Sequence, residues 1–179
     1  MQQYAMLDNI RDHSVMVARI AEFLVVRLTA AGENLSLPLA VSAALLHDIG
    51  KTQCLHNDGD HALLGRDICL AHRYTELAPI VGEHVILKEG VPASGLSEKE
   101  IVYYADKRVT HDMIVDLDDR LAYILARYGK NDERRHLAIE RNFSVCRQIE
   151  RILFGRLTIS PAAVAEEVEI YRSSLLEVA

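Results

Sequence analysis

Five successive stretches with helical spacing each carry an ionisable residue on the face that should be buried. His13 lies between Ile10 and Val17, on a stripe continued by Ile20, Ala21, Leu24 and Leu28. His47 and Asp48 end the small apolar run Ala43-Ala44-Leu45-Leu46, which breaks at Gly50. His61 shares a face with Leu64, Gly65 and Ile68; His84 follows Ile80 and Val81; Asp106 lies between Val102 and Val109. A carboxylate facing a core costs several kcal/mol unless it is paired or metal-bound. One such residue alone reads as a satisfied core group. Five helices each delivering one or two read as a bundle whose polar groups converge on one centre.

The same spacing sets the elements. It predicts a helix from Asp8 to Ala30, closed by Gly32, and a second opened by Ser36 and Pro38 and running to His47-Asp48. Asp58 or Asp60 caps the third, which begins near His61. The fourth spans Thr75 to Leu87, with Pro79 in its first turns, where proline is tolerated. Ser97-Glu98-Lys99-Glu100 is a capping box before the helix that carries Asp106 and reaches Val109. Asp116 or Asp118 starts the next, ending at Gly129. A long amphipathic helix runs from Asp132 to Phe154, burying Ile139, Phe143, Cys146, Ile149 and Leu153, and Ser160-Pro161 opens a short last one. No segment alternates with period two, so the expected class is all-α. At 179 residues it is one domain, residues 1–179, with a core over 6–128 and the helices of 131–179 as an extension, scaffold or lid.

Composition narrows the partners. A net charge of −6 argues against a general grip on nucleic acid, while leaving room for small phosphorylated molecules, because bound metal locally inverts the sign. No apolar run reaches the length of about 18 residues that spans a bilayer, and no export signal opens the chain. The three cysteines, Cys54, Cys69 and Cys146, form no CxxC and read as reduced thiols of a cytoplasmic protein. There is no glycine-rich phosphate loop and no nucleophile elbow.

The order His13, His47-Asp48, Asp106, centred on His47-Asp48-Ile49-Gly50-Lys51, resembles the HD-domain superfamily of metal-dependent phosphohydrolases, in its HDIG subgroup. The likeness covers Met6 to Arg120, and Tyr104-Ala105-Asp106-Lys107-Arg108-Val109 is similar to the family's final-aspartate motif. The resemblance implies a helical bundle with a metal site between helices, where His13, His47, Asp48 and Asp106 bind one divalent transition metal. His61 and His84 match the two further histidines of members that hold two metals, and Asp48 would then bridge. The identity stays open among Mn, Fe, Co, Ni and Zn.

The implied activity is hydrolysis of a nucleotide or another small phosphate ester through metal-activated water. Asp48 and Lys51 are the catalytic candidates; Lys51, Arg66 and Lys107 are candidate phosphate contacts, each with a plain reading as a surface charge. Two other readings stand beside it. One is an HD-type diiron oxygenase, disfavoured by the short gap between His47 and His61 and by the HDIG context of His47 to Gly50. The other is a non-catalytic metal-binding sensory module. Lys88 to Gly95 lacks the Gly-Tyr-Pro signature of the cyclic-dinucleotide branch. His56 reads as solvated, His72 as favoured by a helix C-terminus, and His111 and His136 as structural. The long helix near Asp132–Phe154 offers a face for a homodimer.

Overall fold

In the structure, a computed structural model, residues 1–57, 59–93, 95–171 and 173 are described. The first long helix, α1 (Asp8–Ala30), is the post on which the rest is built. Its stripe is fully buried at Val17, Ala18, Ile20, Ala21, Phe23, Leu24 and Leu28, and it ends where Gly32 takes φ +100°. Against it lies α2 (Leu37–Leu46), capped by the Ser36 hydroxyl on the Leu39 amide, with Pro38 in the first turn. Ala40, Ala43 and Ala44 have no exposed surface and let α2 come close to α1.

Next come α3 (His61–Ala71), capped by Asp60 on the amides of Ala62 and Leu63, and α4 (Leu77–Glu83). Asp58, the other expected cap, lies outside the described residues. The capping box of Ser97 and Glu100 opens α5 (Glu98–Lys107), which is buried on all sides from Glu100 to Lys107. It is followed by a hairpin of β1 (Val109–Thr110) and β2 (Met113–Ile114), with Val109 opposite Ile114. Two-residue strands are too short to leave an alternation in the sequence. Asp116 caps α6 (Leu117–Tyr128) and Asp132 caps α7 (Glu133–Phe154). After Ser160-Pro161 a 3₁₀ turn leads into α8 (Val164–Ile170). The described residues are therefore all-α apart from this hairpin. Phe143, Cys146, Ile149, Leu153, Val164 and Val168 join the same core as α1, α2 and α5. None of the described helices is long and apolar enough to cross a membrane.

Three helices end earlier than their apolar spacing predicts: α5 gives way to β1 at Val109, and α2 and α4 stop for a shared reason. α2 stops at Leu46 and α4 at Glu83, each with a histidine as the capping residue. His47 Nδ1–H donates to the Ala44 carbonyl at 2.6 Å, and His84 Nδ1–H donates to the Val81 carbonyl at 2.7 Å. Each side chain competes for the carbonyl that a continuing helix gives to the next amide. Beyond His84 the chain is held instead by the Asn142 side-chain amide on the Val85 carbonyl and by the Lys88 amide on the Glu83 carboxylate.

The turn after α2 meets α3 backbone to backbone. A Cβ on Gly50 would lie 2.7 Å from the His61 carbonyl oxygen and 3.0 Å from the Gly65 nitrogen. Neither obstacle is a flexible side chain. Gly50→Ala is therefore expected to cost about 1–3 kcal/mol of stability in urea denaturation. Gly82→Ala is the control. Its Cβ meets only the Arg66 side chain at 3.2 Å, and the gain in helix propensity keeps it near neutral. Equal losses at the two positions would show that this backbone contact does not constrain the fold.

Candidate metal centre

The two helix-ending histidines fix the geometry. With Nδ1–H committed to its own helix, each ring turns Nε2 inward as the atom that can serve a metal. His13, on α1, is set the same way: its Nδ1 bonds the His111 carbonyl at 2.8 Å. His111 sits in the β1–β2 turn at φ +58°, a left-handed conformation that aims this carbonyl at α1. His61, the first residue of α3, enters from the open side.

These rings close on Asp48, which has no exposed surface. Its Oδ2 is 3.4 Å from His47 Nε2 and 2.6 Å from Lys51 Nζ. Its Oδ1 is 3.3 Å from His61 Nε2 and 3.5 Å from His84 Nε2. Two trios of donor atoms result, His13-His47-Asp48 and Asp48-His61-His84, each with all atoms within 4.8 Å of one another. Asp106 Oδ1 adds a second carboxylate on the first side, 3.1 Å from His13 Nε2 and 3.7 Å from His47 Nε2.

Whether a metal fits is decided by two atoms. His47 Nε2 and Asp48 Oδ1 are buried and make no hydrogen bond. A buried imidazole nitrogen and a buried carboxylate oxygen left without a hydrogen bond are costly, and a divalent cation satisfies both. Imidazole nitrogens with carboxylates suit Zn, Fe, Mn, Co and Ni. The residues fit the group.

The electrostatics agree. Burial works against ionising Asp48, but His47 and Lys51 outweigh it and hold the carboxyl well below its ordinary range. Burial likewise opposes Asp106, which Lys107, His13 and Arg120 hold well below its range. Burial pushes His84 down to about 4, so it is neutral and ready to donate its lone pair. Burial opposes protonation of His47 too, yet the Asp48 carboxylate raises its pKa. Lys51 is raised, Asp48 overcoming the desolvation.

The basic residues separate. Lys51 stands at the mouth, its side chain 32% exposed, on Asp48. Arg66 has its stem beside Gly82 of α4 and its guanidinium bonded to Asp67 at 2.8 and 2.9 Å, and among the described residues it makes no bond to the centre. Lys107 is buried behind the ligands, not at the mouth. Its ammonium donates to the His84 carbonyl and to Asp106 Oδ2 and lies 4.1 Å above the Tyr103 ring. His72 is far from the centre, bonded to the Tyr4 hydroxyl at 2.7 Å. Sequence reading overlooked Arg120 of α6, whose Nη2 is 3.6 Å from Asp106 Oδ1. The signal was present, because Arg120 falls on the stripe of Leu117, Leu121 and Ile124.

Comparison with known proteins follows this geometry. The family model described as HD domain matches residues 10–124. Ribonuclease Y of Frankia alni is 39% identical over 74 residues, 41% of this chain and 9% of that protein. Ribonuclease Y 1 of Pediococcus pentosaceus is 38% identical over 86 residues, 48% of this chain and 15% of that protein. The chain thus spans only a small part of the length of these relatives. An uncharacterized protein of Methanocaldococcus jannaschii is 27% identical over 159 residues, 82% of this chain and 90% of that one. No solved structure gives a significant match. With the matched model covering more than half of the chain, the protein belongs to the HD-domain family of metal-dependent phosphohydrolases.

Proposed function

We propose that the protein hydrolyses a nucleotide or another small phosphate ester, monoester or diester, in the cytoplasm. The observation that carries this reading is the pair of donor trios sharing Asp48. His13, His47, Asp48 and Asp106 would hold one divalent ion, and Asp48, His61 and His84 a second. Such ions supply Lewis acidity, polarising a phosphoryl oxygen and bringing the pKa of water toward neutrality.

The chain's own residues do the rest. Asp48 keeps both oxygens inside the centre and stays ionised there, so it never competes as a proton donor. His13, His47 and His84 have their Nδ1–H groups tied to backbone carbonyls and cannot rotate away. Lys51 presents a strongly hydrated point charge at the mouth, within reach of a phosphoryl oxygen arriving beside Asp48. An acidic chain with net charge −6 favours a small ester over a polymer. The ribonuclease Y likeness supports phosphate-ester chemistry and is confined to a short segment of those proteins. The three thiols, none in a disulfide, support a reducing compartment.

The deciding experiment measures metal per chain in protein purified without chelator, then turnover on phosphomonoesters, phosphodiesters and a nucleotide panel. About two ions are expected, falling to about one in His61→Ala/His84→Ala, with hydrolysis of at least one ester class by wild type. Metal-loaded wild type that turns over nothing in the panel would refute the hydrolase reading.

Lys51→Met should leave metal content unchanged and lower kcat/KM about 10–100-fold, the size of one charge-assisted hydrogen bond. An unchanged kcat/KM would return Lys51 to solvent.

Metal loading should also release protons. His47, its pKa raised by Asp48, is charged in the metal-free centre at and below its ordinary titration range and must lose that proton to become a ligand. Apparent metal affinity therefore rises with pH through that range and falls below it. Calorimetry in two buffers of different ionisation enthalpy should count about one proton released near pH 6.5. No buffer dependence would mean that His47 is already neutral or is not a ligand.

A further inference from the structure

We propose that Arg120 is a substrate-binding residue of this centre, donating to a phosphoryl oxygen on the Asp106 side as Lys51 does on the Asp48 side. The assignment rests on the phosphate-ester reading above and adds to it a residue and a mode of recognition.

Two buried arginines in the same part of the fold make the case by contrast. Arg108 is 3% exposed and fully occupied. Its Nε donates to the Val115 carbonyl at 2.6 Å, one terminal nitrogen to the Pro161 carbonyl at 3.0 Å, and the other to the Tyr104 hydroxyl. That is a structural arginine. Arg120 is 8% exposed and, among the described residues, its guanidinium makes no hydrogen bond. Its Nε is buried without a partner. A guanidinium stays charged at any physiological pH and carries five donors, so burying it unbonded costs several kcal/mol. The cost is recovered when an oxyanion arrives.

A hydrogen bond to Asp106 does not account for Arg120. The 3.6 Å separation is too long for a hydrogen bond. Asp106 already accepts from Lys107 Nζ at 3.2 Å and lies 3.1 Å from His13 Nε2. The guanidinium is also held in place in advance. It lies 5.6 Å above the Tyr123 ring, and that ring meets the edge of His111, whose carbonyl fixes His13. α6 itself is tied down by its Asp116 cap and by the Asp118–Arg147 pair at 2.5 Å. Arg120 and the ligand His13 thus stand on one wall. A planar fork of donors matches two oxygens of one phosphoryl group, which an ammonium cannot do.

The test uses metal-loaded wild type, Arg120→Gln and Arg120→Lys, with inorganic phosphate as the probe. Metal content, melting temperature and the calorimetric Kd for phosphate are measured beside kcat and KM on the best ester. Arg120→Gln should keep its metal and weaken phosphate about 10–100-fold, with KM rising in parallel. Arg120→Lys, which keeps the charge and loses the fork, should recover part of that loss and covers the case in which the glutamine variant folds poorly. Phosphate affinity unchanged in Arg120→Gln overturns the proposal. So does metal loss in both variants in step with phosphate affinity, which makes Arg120 a positioning residue for Asp106. Wild type that binds phosphate through Arg120 yet hydrolyses no ester sinks the hydrolase reading and leaves this one. Arg120→Gln that hydrolyses an ester as well as wild type does the reverse.

Discussion

A carboxylate with no exposed surface, Asp48, is surrounded by three imidazoles and one ammonium, and its burial as an anion depends on them. His47 and Lys51 come from the same turn, His61 from the start of α3 and His84 from the end of α4. The charge therefore dictates where three helix termini must meet. Helix interiors bring His13 of α1 and Asp106 of α5 to the centre, but with their carbonyls all taken they cannot orient a histidine on its own helix. Termini can, since a histidine at the last turn can bond a carbonyl of its own helix and aim its other nitrogen forward.

That convergence needs backbones closer than ordinary side chains permit. α2 carries alanines at the positions facing α1. Gly50 lets the turn after Asp48 rest on the first turn of α3, and Gly65 lets α3 lie against Val81, where a Cβ would come within 2.8 Å of Cγ1. This close backbone packing thus lies directly behind the polar cluster. Small residues and buried charges serve one end: the glycines bring His61 and His84 within 3.3 Å of each other, nitrogen to nitrogen.

How much of this could be read from the chain follows from the same physics. A residue that breaks an apolar stripe is visible in sequence, because burial is periodic while charge at a buried position is costly. His13, His47, Asp48, His61, His84 and Asp106 were found that way and lie together, and Arg120 obeys the same rule. The ends of α2 and α4 were not legible, because apolar spacing runs past them and only the rotamers of His47 and His84 reveal the stop. Nor was the side on which a cation falls. Lys107 follows Asp106 by one residue and looks like an outward charge, but α5 is enclosed all round and has no outward face. Arg66 could not be separated from a phosphate contact until Asp67 was seen to occupy it.

The distribution of exposure around the centre bears on what it is for. His47, Asp48 and His84 are sealed, whereas the side chains of His61 and Lys51 keep 28% and 32% of their surface. A site that only braces a fold closes its coordination with protein donors and gains nothing from a wet ligand or a cation at its rim. An open side, with a rigid carboxylate floor and cations at its edge, is what a phosphoryl group needs to enter, be gripped and leave. The unequal burial of otherwise equivalent histidines therefore argues for turnover at this centre rather than for scaffolding.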